Sequence, residues 1–168
     1  METINILDLE LNKLNALGLD KNKSKELAKK LNVLLASYSV FYQNARGYHW
    51  NLKGEKFFEL HLKFEELYAS LYLKIDEIAE RILTIGFPAN HNFSAYKTTS
   101  KINESIQVSN GLIAVEDILA SLKTIISLQR DILIYSNQID DEGTHAIMSN
   151  NIQQQEKLVW MYTKFLEK

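Results

Sequence analysis

The chain has no cysteine among its 168 residues, so neither a disulfide nor a thiolate metal ligand is available to it. Such a chain fits a reducing compartment, and a cytoplasmic location is expected. One proline and six glycines leave few breakers of regular structure, the profile of a helix-rich protein. No apolar run approaches the ~18–20 residues that cross a bilayer, so no membrane is expected as a partner. The start, METINILDLELNKL, is acidic and amphipathic, unlike the basic start and uniform apolar run of a signal peptide. Positive charge is not in excess either. Nineteen Lys and Arg stand against 21 Asp and Glu, a formal net charge of −2, which argues against a surface generally attractive to nucleic acid. The one lysine-dense stretch, KNKSKELAKK, reads as a solvated helix start, with a weak phosphate patch as the alternative.

What is present is ordinary for a globular chain: 46% apolar and 24% charged residues, long enough for a real core. A single domain over residues 1–168 is expected. Leu27, Leu31, Leu34, Leu35, Tyr38, Phe41 and Ala45 recur at three- and four-residue spacing, which predicts a long amphipathic helix over 25–49. Asn51-Leu52-Lys53-Gly54 is a turn signal, and a second helical pattern runs from about Lys56 to Ile85. Gly86-Phe87-Pro88 ends it. A polar connection follows, long enough to hold a short helix around Phe93 to Ser100. A third pattern spans about Asn110 to Asn137 and a fourth about Thr144 to Leu166, broken between by Asp140-Asp141-Glu142-Gly143. A short helix over Asn5 to Leu17 completes the reading. Two tight links and one long one predict an all-α four-helix bundle with a crossover that carries a short extra helix.

Residues 49–80 contain His49, His61, Glu65, Asp76 and Glu80, all of metal-ligand type. On a helix at 100° per residue, His61, Glu65, Asp76 and Glu80 fall at ~0°, ~40°, ~60° and ~100°, along one stripe. His61 and Asp76 are nevertheless ~22 Å apart along the axis, whereas metal–ligand bonds are ~2 Å long. One copy cannot bring both ends to one ion. An antiparallel pairing of the helix with its own copy can, crossing near the small residues Ala69 and Ser70 and giving two identical sites shared by two chains. The turn at 51–54 folds His49 back beside His61. Two imidazoles with up to three carboxylates, and no sulfur, suit iron(II), zinc or manganese. His-x3-Glu and Asp-x3-Glu pairs also occur on solvated helix faces, so spacing alone leaves that reading open. Trp50, Phe57, Phe58, Phe64 and Tyr68 read first as core aromatics.

These residues resemble a family, the Dps proteins or bacterial mini-ferritins. The resemblance is carried by His49-Trp50, Gly54, Phe57, Leu60-His61, Phe64-Glu65, Tyr68 and the run Asp76-Glu77-Ile78-Ala79-Glu80-Arg81. More loosely it extends to Gly86, Pro88, Ala95-Tyr96, Ser100 and Asp141-Glu142-Gly143-Thr144. It implies a ferritin-like bundle, assembled as a dodecamer from two-fold dimers into a hollow shell. It further implies a ferroxidase, an oxidoreductase that takes Fe2+ to Fe3+ with hydrogen peroxide in preference to dioxygen, stores the ferric mineral and protects against oxidative stress. His49, His61 and Glu65 would come from one subunit and Asp76 and Glu80 from the other. Zn2+ or Mn2+ are further occupants of such a site. Glu65 departs from the family pattern, where aspartate is frequent. Trp50 matches the family tryptophan beside the centre, where it would absorb stray oxidising equivalents. Asp140, Asp141 and Glu142 are candidates for an acidic iron entrance, or for capping the helix they precede.

Two other readings compete. A ferritin with its centre inside one bundle needs Glu-x-x-His motifs on two helices; this chain has only Glu142 to His145, at a helix start. The alternative of a DNA-compacting shell needs a lysine-rich tail. The first twenty residues hold one lysine, and DNA binding is expected to be absent or weak.

Overall fold

The computed structural model describes residues 13–167. It contains five helices: α1 (Lys21–Asn51), α2 (Phe57–Thr84), α3 (Phe93–Thr99), α4 (Gly111–Gln138) and α5 (Glu142–Leu166). Among the described residues there is no strand, only two isolated bridges. The architecture is all-α, four long helices with one short helix in the crossover, with helix bounds within a few residues of those read from the pattern. The short helix expected over Asn5 to Leu17 lies mostly outside the described residues. Its last part is a turn, in which Asn15 Oδ1 accepts from the amides of Leu17 and Leu19.

Helix starts are fixed by short polar side chains that take up orphan amides. Asp20, Asn92, Asn110 and Asp141 each cap the helix that follows. At Asp20 the bond from the Lys23 amide draws the carboxyl below its ordinary range. α2 has no side-chain cap and follows Gly54, whose φ of 104° makes the turn out of α1. It ends in a Schellman motif: Gly86, at φ 95°, donates to Leu83 and Phe87 donates to Ile82.

The same motif closes α4 with a residue the pattern did not suggest. Asp140, at φ 58°, donates to Asn137 while Asp141 donates to Ser136.

The chain direction follows from one bond. Lys53, just after α1, donates its amide to Ser109 at 3.0 Å, just before α4. α4 therefore starts at the end of the bundle where α1 finishes, and the 26-residue crossover 85–110 has returned the whole length of α1. Side chains of α1 hold that crossover down. Asn32 bonds Pro88 and Asn90, Ser37 accepts from Lys101, and Asn44 bonds Asn103 and Ser105.

The core is built from the periodic residues: Leu27, Leu31, Leu34 and Phe41 of α1, Phe64, Leu71 and Ile82 of α2, Ile118, Leu122 and Ile125 of α4, and Met148 of α5 are buried. Leu112, part of the α4 pattern, is exposed at the helix start. The bundle also has a polar interior. Tyr38 Oη takes the amides of Gln129 and Gln155 at 2.7 and 2.6 Å. Lys74, only 7% exposed, donates to Asn151 and Gln154, and Asn151 donates to Glu77. Burial lowers the Lys74 ammonium from its ordinary range, with Glu77 opposing. An ammonium thus sits where a bundle-centred metal would need converging carboxylates and imidazoles.

Candidate metal centre

His49 is in the last turn of α1 and His61 in the second turn of α2, brought together by the short link between the helices. His49 Nδ1 lies 2.8 Å from the His61 carbonyl, and His61 Nδ1 lies 2.9 Å from the His49 carbonyl. A carbonyl only accepts, so each Nδ1 carries the proton and donates. In the neutral ring this leaves the Nε2 lone pair for a metal, the outer-sphere arrangement that orients histidine ligands. The rings are stacked, with centroids 3.7 Å apart and planes 19° from parallel. Phe57 stacks on the outer face of His61 at 5.0 Å, and Tyr68 meets His49 edge-on at 5.4 Å. Aromatic walls therefore fix both imidazoles.

Glu65 stands one turn beyond His61 and is exposed. Tyr68 Oη donates to its Oε1 at 3.5 Å, and burial together with the Glu65 charge pushes the Tyr68 phenol up. Asp76 and Glu80 are also exposed, farther along α2 on the same stripe. Among the described residues, no three His, Cys, Asp or Glu side chains of one chain converge on a metal position. The two imidazoles are assembled; the two distal carboxylates are not with them.

The stripe carrying these acids is also apolar. Phe58, Leu62, Ala69, Tyr72, Leu73 and Leu83 are exposed on α2. At 100° per residue they fall within the same sector as Glu65, Asp76 and Glu80, about 20–120° from His61. Of the aromatics read as core, Phe64 is buried and Phe57 and Tyr68 half-buried, but Phe58 is 86% exposed and Trp50 57% exposed. Helical period could not separate a side chain that faces the bundle from one that faces outward at the helix edge. The Trp50 ring lies under the Arg46 guanidinium at 4.5 Å.

The acidic residues before α5 have distinct places. Asp141 is 2% exposed, contrary to its candidacy for an entrance: its carboxylate accepts from the Thr144 amide and hydroxyl and pairs with Arg81. Gly143 lies against that guanidinium, so close that a Cβ there would collide with it. Asp140 and Glu142 are exposed. Phe57 and Tyr68 stand in the sequence motif, but their ring contacts with the histidines and the place of Arg46 beside Trp50 were not legible in it. Their signal was weak, since Phe57 and His61 merely share i,i+4 spacing.

A family model for the ferritin-like domain matches residues 28–168. An uncharacterized protein of Haemophilus influenzae is 53% identical over 147 residues, 88% of this chain and 92% of the relative. A Porphyromonas gingivalis protein named "DNA protection during starvation protein" is 35% identical over 155 residues, 92% of this chain and 98% of the relative. A solved Dps protein from Vibrio cholerae O1, described as a member of a broad superfamily of ferritin-like diiron-carboxylate proteins, aligns with a TM-score of 0.91 and 48% identity. That alignment covers 92% of this chain and 98% of the other.

Proposed function

This chain belongs to the ferritin-like proteins, in the Dps family, and we propose that it is a ferroxidase whose iron centre is shared between two antiparallel copies. Ferrous ions are the substrate. His49 and His61 of one copy, with Glu65 beside them, supply one side; Asp76 and Glu80 of the second copy supply the other. The carrying observation is the reciprocal bonding of the two histidines, which leaves two Nε2 atoms as prepared donors while, among the described residues, their own chain brings no third ligand to them. The exposed apolar stripe on α2 supplies the surface that a second copy would bury.

The chemistry of the donor set fits iron: imidazole holds Fe2+, and carboxylates stabilise the Fe3+ product. Hydrogen peroxide is the preferred oxidant and dioxygen the slower one. Two ferrous ions held together deliver two electrons to one peroxide, giving water without releasing hydroxyl radical. The ferric product mineralises inside a hollow, twelve-subunit shell, which limits oxidative stress in the cytoplasm. Zn2+ and Mn2+ compete for the same ligands.

The decisive experiment follows Fe2+ oxidation by hydrogen peroxide in the purified protein and in a His49→Ala/His61→Ala double variant. The native protein should be faster by far; equal rates would sink the proposal.

DNA compaction draws support from the name of the Porphyromonas relative. The lysines at the start of α1 are the only dense cluster available, and Lys29 is already paired with Glu26 at 2.6 Å. Robust gel retardation at ~150 mM salt would favour that role, because weak phosphate contacts are screened there.

A further inference from the structure

We propose that Tyr68, Tyr42 and Tyr72 form an electron relay that runs from the histidine pair to the two-fold axis and links the two iron centres of a dimer. This rests on the shared-centre reading above. Tyr68 touches His49 edge-on at 5.4 Å and bonds Glu65. Tyr42, reaching over from α1, lies 6.1 Å from Tyr68 and 6.4 Å from Tyr72, bridging two rings that sit one turn apart on α2. Tyr72 is exposed on the apolar stripe. With α2 crossing its copy near Ser70, Tyr72 stands about 3 Å along the helix from the crossing point, so the two relays meet there.

Charge placement decides the route. The Arg46 guanidinium lies over both Tyr42, at 5.3 Å, and Trp50, at 4.5 Å. A fixed positive charge raises the energy of an electron vacancy on either ring. Among the described residues no cation lies over the face of Tyr68 or Tyr72, and at Tyr68 the Glu65 carboxylate, bonded to the phenol, outweighs the Arg46 charge. The vacancy therefore rests on Tyr68 or Tyr72, with Tyr42 as the bridge.

The relay matters when a centre holds a single ferrous ion. Peroxide taking one electron from that ion alone would break its O–O bond to hydroxide and hydroxyl radical. With Tyr68 as second donor, one peroxide, one Fe2+, one tyrosine and one proton from solvent give Fe3+, a neutral tyrosyl radical and two waters. The phenolic proton leaves with the electron. A ferrous ion arriving at either centre then returns one electron, and a solvent proton restores the phenol.

The test uses the assembled full-length protein carrying one Fe2+ per centre, mixed with hydrogen peroxide and freeze-quenched for electron paramagnetic resonance. A transient tyrosyl signal is expected, narrowed in protein made with ring-deuterated tyrosine and lost in Tyr68→Phe, where spin-trapped hydroxyl radical rises. In Tyr42→Phe the signal should form but decay more slowly when ferrous ion is added, because Tyr68 is cut off from Tyr72. A signal insensitive to tyrosine deuteration, an undiminished signal in Tyr68→Phe, or iron oxidation with no radical would overturn the relay and leave the ferroxidase intact. Absence of His49- and His61-dependent iron oxidation would overturn both. If Tyr68→Phe fails to assemble, the deuterated native protein and Tyr42→Phe still decide.

Discussion

His49 and His61 fix each other through the backbone, each ring donating to the peptide carbonyl of the other residue. Replacing one side chain with alanine keeps its carbonyl, so the remaining imidazole stays oriented. His49→Ala should therefore report the loss of a ligand more than a loss of order. Zn2+ or Fe2+ affinity, measured by calorimetry, is expected to fall about tenfold or more, the scale on which even supporting groups act at metal sites. Unchanged affinity would remove His49 from the ligand set.

Ala69 is exposed at the position where two copies of α2 would cross. Ala69→Arg should cost a lone subunit little, within about 0.5 kcal/mol for an exposed helix position. A bulky charge there would hold the two backbones apart. Light scattering should show the assembly shrinking to monomers, with peroxide-driven iron oxidation lost at the same time. An assembly of native mass would place the dimer contact elsewhere.

Asp141 and Arg81 tie α5 to the end of α2. Asp141→Ala strips the cap of α5 and leaves the half-buried guanidinium without its counter-charge. Breaking such a pair costs about 3–5 kcal/mol. A corresponding drop in the urea midpoint is expected at matched protein concentration.

Asp140 holds a left-handed conformation at the glycine position of its Schellman motif. Asp140→Gly relieves that and should raise stability by roughly 1 kcal/mol. If the exposed Asp140 carboxylate also guides iron into the shell, the same variant will take up iron more slowly while melting higher. A higher melting temperature with unchanged uptake would assign Asp140 to the turn alone.

Buried phenols set the alkaline limit. Desolvation pushes Tyr48 up to about 12 and Tyr38 and Tyr162 higher still. Because the unfolded chain ionises near pH 10, the stabilisation these neutral phenols carry is complete below that pH. It is lost as pH rises through the folded values, by about 1.4 kcal/mol per pH unit for each phenol. Urea midpoints from pH 9 to 12 should fall steeply beyond 10, with tyrosinate absorbance at the buried rings appearing together with unfolding. Ionisation of all eight tyrosines at pH 10 in folded protein would contradict the burial.

The fold was largely legible because its signals are local. Three- and four-residue periodicity at Leu27 to Ala45, the glycine pair at 54 and 86, and the break at 140–143 are each a matter of neighbouring residues. The same arithmetic put His61, Glu65, Asp76 and Glu80 on one stripe and showed the two ends to be too far apart for one ion. Helical period cannot tell which flank of a stripe meets the bundle and which meets solvent. Phe58 and Trp50 were therefore read inward although they lie outside. Nor could the sequence separate Asp141 from its neighbours Asp140 and Glu142, because its role depends on an arginine sixty residues away.

The sequence by itself determined the helices, their order, and the kinds of atoms offered to a metal, since each depends on residue type and short-range spacing. The tertiary structure decided how those atoms are prepared. The reciprocal histidine bonds, the aromatic rings around them and the burial of Asp141 arise only when separate helices pack. Hydrogen-bond direction and ring stacking at those places are relations between distant residues, and linear spacing carries no record of them.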